Sequence, residues 1–184
     1  MKIFINAGHG GNDSGAVGFG LKESDVAYCI AARIDSHLRK YNLETKLFQY
    51  DGLDKICATS NNWNADFFVS VHCNAFNGTA NGTETYCFYN SAEGKKLATS
   101  IHNQILKTFP ELTNRGVKEA GYYVLRYTDA TAVLVETAFI DNLHDNDLLK
   151  NRAEDFAIAI AQGILLFVGV TPDLVTCPFC GHEL

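Results

Sequence analysis

The segment Asp66-Phe67-Phe68-Val69-Ser70-Val71 constrains this chain more than any other. It is apolar at nearly every position, so as a strand it has no face to offer water. Such a strand has to be covered on both sides, which calls for helices above and below a largely parallel sheet. The remaining sequence supplies them. Glu23 to Tyr41 carries Val26, Ile30, Ile34 and Leu38 on one helical face. Ser91 to Phe109, closed by Pro110, is a second helix. Asn151 to Val168 is a third, with Phe156, Ile160, Ile164 and Phe167 on one side, and Leu53 to Asn64 is a weaker one. Lys2 to Ala7, Thr45 to Tyr50, Thr83 to Tyr89, Tyr123 to Arg126 and Ala132 to Val135 read as further strands. The alternation predicts an α/β fold: a single three-layer domain with a mostly parallel, twisted sheet and helices on both faces. It should occupy residues 1–170, leaving 171–184 as a turn-rich tail.

The 184 residues suit one domain, and a net charge of −6 disfavours nucleic acid, because neutralising phosphates needs a basic face. Phe156 to Val170 is largely apolar, but Gln162 and Gly163 interrupt it and it is shorter than the ~20 residues of a membrane span. The apolar start, Met1 to Asn6, is too short for a signal peptide. The sequence therefore predicts no membrane segment and no export signal. Cys29, Cys57, Cys73 and Cys87 are scattered through apolar stretches and are expected to be buried, reduced thiols.

Ligands of open α/β sheets bind beyond the carboxyl ends of the strands. Three reactive side chains are expected there. The first strand runs into Gly8-His9-Gly10-Gly11, where the flanking glycines permit a sharp turn around the imidazole. A phosphate-binding loop would want Gly-Lys-Ser/Thr and a helix directly afterwards, and neither is present. The central strand ends at His72, and the Ala132 to Val135 strand at Glu136. A lone histidine at a strand end is ordinarily a hydrogen-bonded rim residue, and Glu23 at a helix start is explained by the helix dipole alone. Taken together, two histidines and one carboxylate with an open fourth position form a catalytic zinc set. Glu136 would then be a general base, or else a structural ion-pair partner of Arg115 or Arg126.

Five motifs in order carry a resemblance. They are Ala7-Gly8-His9-Gly10-Gly11-Asn12-Asp13-Ser14-Gly15-Ala16; Lys22-Glu23; Ala65-Asp66-Phe67-Phe68-Val69-Ser70-Val71-His72-Cys73-Asn74-Ala75; Asn114-Arg115-Gly116-Val117 followed by Tyr123-Val124-Leu125-Arg126; and Val133-Leu134-Val135-Glu136-Thr137-Ala138-Phe139-Ile140-Asp141-Asn142. Over Lys2 to Gly169 the sequence resembles the zinc-dependent N-acetylmuramoyl-L-alanine amidases of the Amidase_3 family, whose scaffold is like that of zinc exopeptidases. The resemblance implies that His9, Glu23 and His72 bind Zn2+, that Glu136 is catalytic, and that Asn74 and Arg115 contact substrate. It implies peptidoglycan as partner, cut between N-acetylmuramic acid and L-alanine. A monomer is the expected state. The expected absence of an export signal points to a phage or prophage lysin acting on the bacterial cell wall, with a bacterial autolysin, or a chain lacking its export signal, as the alternative. A zinc peptidase or other amide hydrolase on the same scaffold, and an inactive wall-binding module, are the competing readings.

In the tail, Cys177-Pro178-Phe179-Cys180 looks like one knuckle of a zinc ribbon. A second, structural zinc at Cys177 and Cys180 would need two further ligands, from beyond Leu184 or from another chain; otherwise the motif is empty.

Overall fold

The computed structural model describes residues 1–172. A six-stranded sheet has the order β4-β1-β5-β8-β6-β7, formed by β1 (Lys2–Ala7), β4 (Glu44–Gln49), β5 (Phe67–Asn74), β6 (Thr83–Cys87), β7 (Asn114–Glu119) and β8 (Thr131–Phe139). β4, β1, β5 and β8 are mutually parallel; β6 runs antiparallel to β8, and β7 follows β6. Two short strands, β2 (Val17–Gly18) and β3 (Leu21–Lys22), form a separate ribbon ahead of the first helix. The expected three-layer α/β domain is therefore present, with its parallel strands at the centre.

The two faces of the sheet are covered unequally. The odd-numbered side chains Ile3, Ile5, Val69, Val71, Val133 and Val135 pack beneath three long helices, α1 (Glu23–Arg39), α3 (Ala92–Thr108) and α6 (Ala153–Phe167). The even-numbered set Phe4, Phe68 and Leu134 meets α2 (Leu53–Asn62) and α4 (Tyr123–Arg126). Phe4 and Phe68 are fully buried and stacked, with ring centroids 5.5 Å apart. Burying each contributes roughly 2–3 kcal/mol. Two short helices cannot roof this face to its end, so the sheet is open where the even-numbered row continues to His72 and Glu136.

Several elements differ from expectation. Tyr123 to Arg126 is not a strand but the helical turn α4. Val124 and Leu125 are consecutive yet belong to one core cluster, and a strand would send them to opposite faces. β7 has the sequence Asn-Arg-Gly-Val-Lys-Glu, too polar for a buried strand; it forms at the sheet edge, where charge is an asset. The polar helix α5 (Leu143–Asn151) precedes α6 as a separate element, started by the Asn142 side chain, which accepts from the amides of His144 and Asp145. Cys57, Cys73 and Cys87 are buried free thiols as expected, while Cys29 is partly exposed. Among the described residues no helix is long and apolar enough to cross a membrane. The expected knuckle at Cys177 and Cys180 lies outside the described residues.

Candidate metal and catalytic site

The chain leaves β1 through Gly8, whose amide donates to the Val71 carbonyl at 2.8 Å. It then turns at His9, which takes a positive φ of 58°. That conformation is costly for a residue with a side chain and persists where the surroundings fix it. Two constraints do so here. Gly10 and Asp13 exchange backbone hydrogen bonds of 2.8 and 2.9 Å, closing the loop. The Asp13 carboxylate then sits 2.7 Å from His9 Nδ1, which leaves Nε2 facing inward. Gly8 is required by what it faces: a Cβ there would lie 2.4 Å from Cε1 of His72.

Glu23 opens α1 and is 4% exposed. The helix dipole does not account for burying a carboxylate so deeply; its contacts do. Oε1 lies 3.1 Å from His9 Nε2 and 2.9 Å from His72 Nδ1 and accepts the Cys73 amide at 3.1 Å. Oε2 accepts the Ala16 amide at 2.9 Å. Burial alone would raise this carboxyl, but the hydrogen bonds from His72 and His9 outweigh it and hold Glu23 well below the carboxylate range. In return the bond to Glu23 draws His9 up to about 9, against the opposing effect of burial and with Asp13 assisting.

His9, Glu23 and His72 thus offer three ligand atoms within 4.8 Å of one another. Donors bound tetrahedrally to zinc at about 2.0–2.2 Å stand roughly 3.3–3.5 Å apart, so the 2.9 and 3.1 Å separations need to open only slightly to admit the ion. The Asp13 contact is the outer carboxylate that orients a ligating histidine in many zinc sites. The donor set and its spacing fit zinc.

Glu136 differs from expectation in position. It lies inside β8 rather than beyond its end, and His72 likewise lies inside β5. Sheet register brings them together: His72 and Glu136 are direct partners across β5 and β8 and point to the same, thinly covered face. Immediately afterwards β8 bulges, so that Asn74 pairs with Phe139. Neither expected ion pair exists, because Arg115 bonds Glu84 and Arg126 stands over the Tyr127 ring. Glu136 Oε2 is buried without a hydrogen-bond partner among the described residues. Burial pushes the Glu136 carboxyl up to about 7, and the charge of His72 only partly counters it. A cleft of about 400 Å³ opens over this row, with His9, His72 and Glu136 at its floor and Tyr50, Leu53 and Tyr122 on its walls.

The other two expected site residues converge elsewhere. Asn74 Nδ2 donates to Glu84 at 2.5 Å and Arg115 Nε to Glu84 at 3.0 Å. Glu84 was not legible as a site residue. It is 3% exposed and sits directly opposite Glu136 on β6, in a Thr-Glu-Thr-Tyr alternation that reads as a solvent-facing carboxylate. Lys118, which also bonds Glu84, was missed for the same reason. Asp13 stands within the first motif, and its spacing of four from His9 was the available signal.

The Amidase_3 model, described as N-acetylmuramoyl-L-alanine amidase, matches residues 3–165. The sporulation-specific N-acetylmuramoyl-L-alanine amidase of Bacillus subtilis is 35% identical over 170 residues, covering 89% of this chain and 65% of that protein. The endolysin of Bacillus phage SPP1 is 36% identical over 175 residues, covering 88% of this chain and 64% of the endolysin. The chain thus spans just under two thirds of the length of both. The structure of the N-acetylmuramoyl-L-alanine amidase AmiC2 of Nostoc punctiforme superposes with a TM-score of 0.87 at 34% identity, covering 92% of this chain and 97% of that one. With the fold, the motif order and these relatives in agreement, the chain belongs to the Amidase_3 family of N-acetylmuramoyl-L-alanine amidases.

Proposed function

We propose that the chain hydrolyses the amide between the lactyl group of N-acetylmuramic acid and L-alanine in peptidoglycan, using zinc held by His9 Nε2, Glu23 Oε1 and His72 Nδ1. The observation that carries this reading is the pairing of that donor set with Glu136, a half-buried carboxyl beside it, one oxygen of which is buried without a hydrogen-bond partner among the described residues. Zinc, when bound, supplies a Lewis acid for the carbonyl and lowers the pKa of the attacking water.

The chain's own residues account for the rest. The Glu136 carboxylate takes the proton from the water that attacks the lactyl carbonyl and returns it to the departing alanine nitrogen. In the metal-free protein desolvation raises its pKa to about 7, the direction that lets a carboxyl both accept and donate a proton near neutrality. The apolar wall of Tyr50, Leu53 and Tyr122 shields the reacting groups and offers surfaces on which a sugar ring can lie. Arg115 of β7 and Asn74 of β5 meet at Glu84, directly opposite Glu136, and are assigned to substrate binding. The setting is the bacterial cell wall. Relatives at near-equal identity include both a phage endolysin and a bacterial sporulation amidase, and the same chemistry serves lysis and remodelling.

Digestion of purified peptidoglycan tests the reading. Intact stem peptides with new L-alanine amino termini should appear, cease on chelation and return with zinc. Shortened stems would instead identify a peptidase.

A further inference from the structure

β7 carries one extra residue beside the site. Thr83 pairs with Asn114 and Thr85 with Val117, so Arg115 and Gly116 together face the single residue Glu84. Gly116 has a φ of +85° there, a conformation open to glycine and strained for other residues. In a regular strand, residues three apart point to opposite faces. The bulge cancels that alternation, and Arg115 and Lys118 both bond Oε2 of Glu84. Asn74 and the Tyr86 hydroxyl occupy Oε1, so the buried carboxylate is fully used.

The resulting cluster is unbalanced. Glu84 offsets one of the two cations, leaving one positive charge at the rim. Arg115 uses Nε on Glu84, and its guanidinium carbon lies 4.8 Å from the centroid of the Phe139 ring. Among the described residues no acceptor takes its terminal amino groups, and its side chain is 32% exposed. A fork held in this way presents two parallel donors, the geometry that a carboxylate accepts. β7 lies two strands from β8, about 10 Å at the usual strand spacing. An extended peptide covers that distance in about three residues.

We infer that Arg115, assisted by Lys118 and positioned by Glu84 and the Gly116 bulge, binds a carboxylate carried by the stem peptide within the residues just beyond its L-alanine. This inference rests on the amidase reading and extends it. It also gives the substrate a direction: peptide toward β7, sugar toward the Tyr50–Leu53 side of the cleft. Arg115 is the specificity residue, and Glu84 acts only through it.

The test uses two soluble muramoyl-tripeptides, identical except that the carboxyls beyond L-alanine are free in one and amidated in the other. The zinc-loaded protein should favour the acid by roughly tenfold or more in kcat/KM, expressed in KM. Arg115→Ala should bring that ratio close to one, and Arg115→Lys should recover part of it. Glu84→Gln should lower the ratio through KM, which a merely structural role would not move selectively. Binding of the free acid tripeptide to the Glu136→Gln protein, measured by calorimetry, should weaken in parallel on adding Arg115→Ala. Equal cleavage of both substrates by the unaltered protein, or an equal loss on both in Arg115→Ala, would overturn the carboxylate subsite while leaving the amidase reading intact. Cleavage of neither substrate, with whole peptidoglycan also uncut, would overturn both.

Discussion

Glu84 and Glu136 lie directly opposite each other on β6 and β8, yet their carboxyls are driven apart. Burial would raise Glu84, but Lys118, Arg115 and Tyr86 outweigh it and lower its pKa. Glu136, with no such partners, is raised by burial to about 7. Two like charges in register repel, and giving both cations to one member keeps the other protonatable.

The first prediction follows from the raised member. An acid whose pKa rises on folding favours the fold fully below its unfolded value of 4.5, and that contribution is lost as pH rises through about 7. The metal-free protein should lose up to about 3 kcal/mol from this group between those limits. Glu136→Gln cannot ionise and should show a correspondingly flatter profile. Urea unfolding of both proteins at pH 5 and pH 8 checks it; parallel profiles would mean that Glu136 is not protonated in the fold. With zinc supplied, the variant should keep its metal and lose turnover by 100-fold or more, whereas loss of metal would recast Glu136 as a ligand.

Asp13 gives the second prediction. It is exposed and makes no contact with Glu23 or His72, but it holds His9 Nδ1 and accepts the Gly15 amide. Asp13→Asn should therefore leave the fold unchanged and lower zinc affinity by about 10–100-fold, the usual effect of removing such an outer partner. Competition against a chromophoric chelator measures it. An unchanged affinity would show that the loop, rather than Asp13, sets the His9 ring. His9→Ala, by contrast, should abolish metal retention altogether.

The fold was legible where packing alone decides it. Phe67 to Val71 could only be a central strand, and Ile30, Ile34 and Leu38 could only face it. The convergence of His9, Glu23 and His72, the candidate metal donors, was suggested by motif order, although their spacing in the chain says little: Glu23 is buried by contacts from His9 and His72, which no local pattern around Glu23 reveals. Glu136 was expected beyond a strand end because Ala132 to Val135 is the apolar part of β8. The strand continues through Glu136 and Thr137 because pairing with β5 and β6 carries it on, and register is a long-range property. Glu84, Lys118 and β7 were illegible for a related reason. Their polarity reads as solvent exposure until the Gly116 bulge turns two cations onto one buried carboxylate.

A third prediction concerns Gly8. Its missing side chain is the space that the His72 ring occupies. The ring cannot retreat, because its Nδ1 is tied to Glu23 and its strand is central to the sheet. Gly8→Ala should therefore displace the imidazole and cut zinc affinity by more than tenfold. Far-ultraviolet circular dichroism should remain that of the unaltered protein. Normal metal binding in this variant would show that β1 and β5 can separate to admit a methyl group.

The fourth prediction joins protons to the metal. In the metal-free protein the Glu23 contact raises His9 from 6.5 to about 9, with burial opposing and Asp13 assisting, so the imidazole is charged at pH 7. Zinc takes the neutral ring, and binding must expel that proton. Calorimetry in buffers of differing ionisation enthalpy should find about one proton released from His9 per zinc at pH 7 and none from it above pH 10. The linkage runs in a fixed direction. A histidine raised on folding stabilises the metal-free protein fully below pH 6.5, and that contribution disappears as pH climbs through about 9. Glu23, lowered on folding, acts in the opposite sense: its contribution is present above pH 4.5 and is lost on acidification. Metal-free protein should thus weaken from pH 6.5 to 9 in a way that His9→Ala does not, while zinc-loaded protein, whose His9 has no proton to lose, should hold its stability across the same interval. A zinc titration that released no proton from His9 at pH 7 would mean that the imidazole is already neutral, and that Glu23 governs His9 less than their 3.1 Å separation implies.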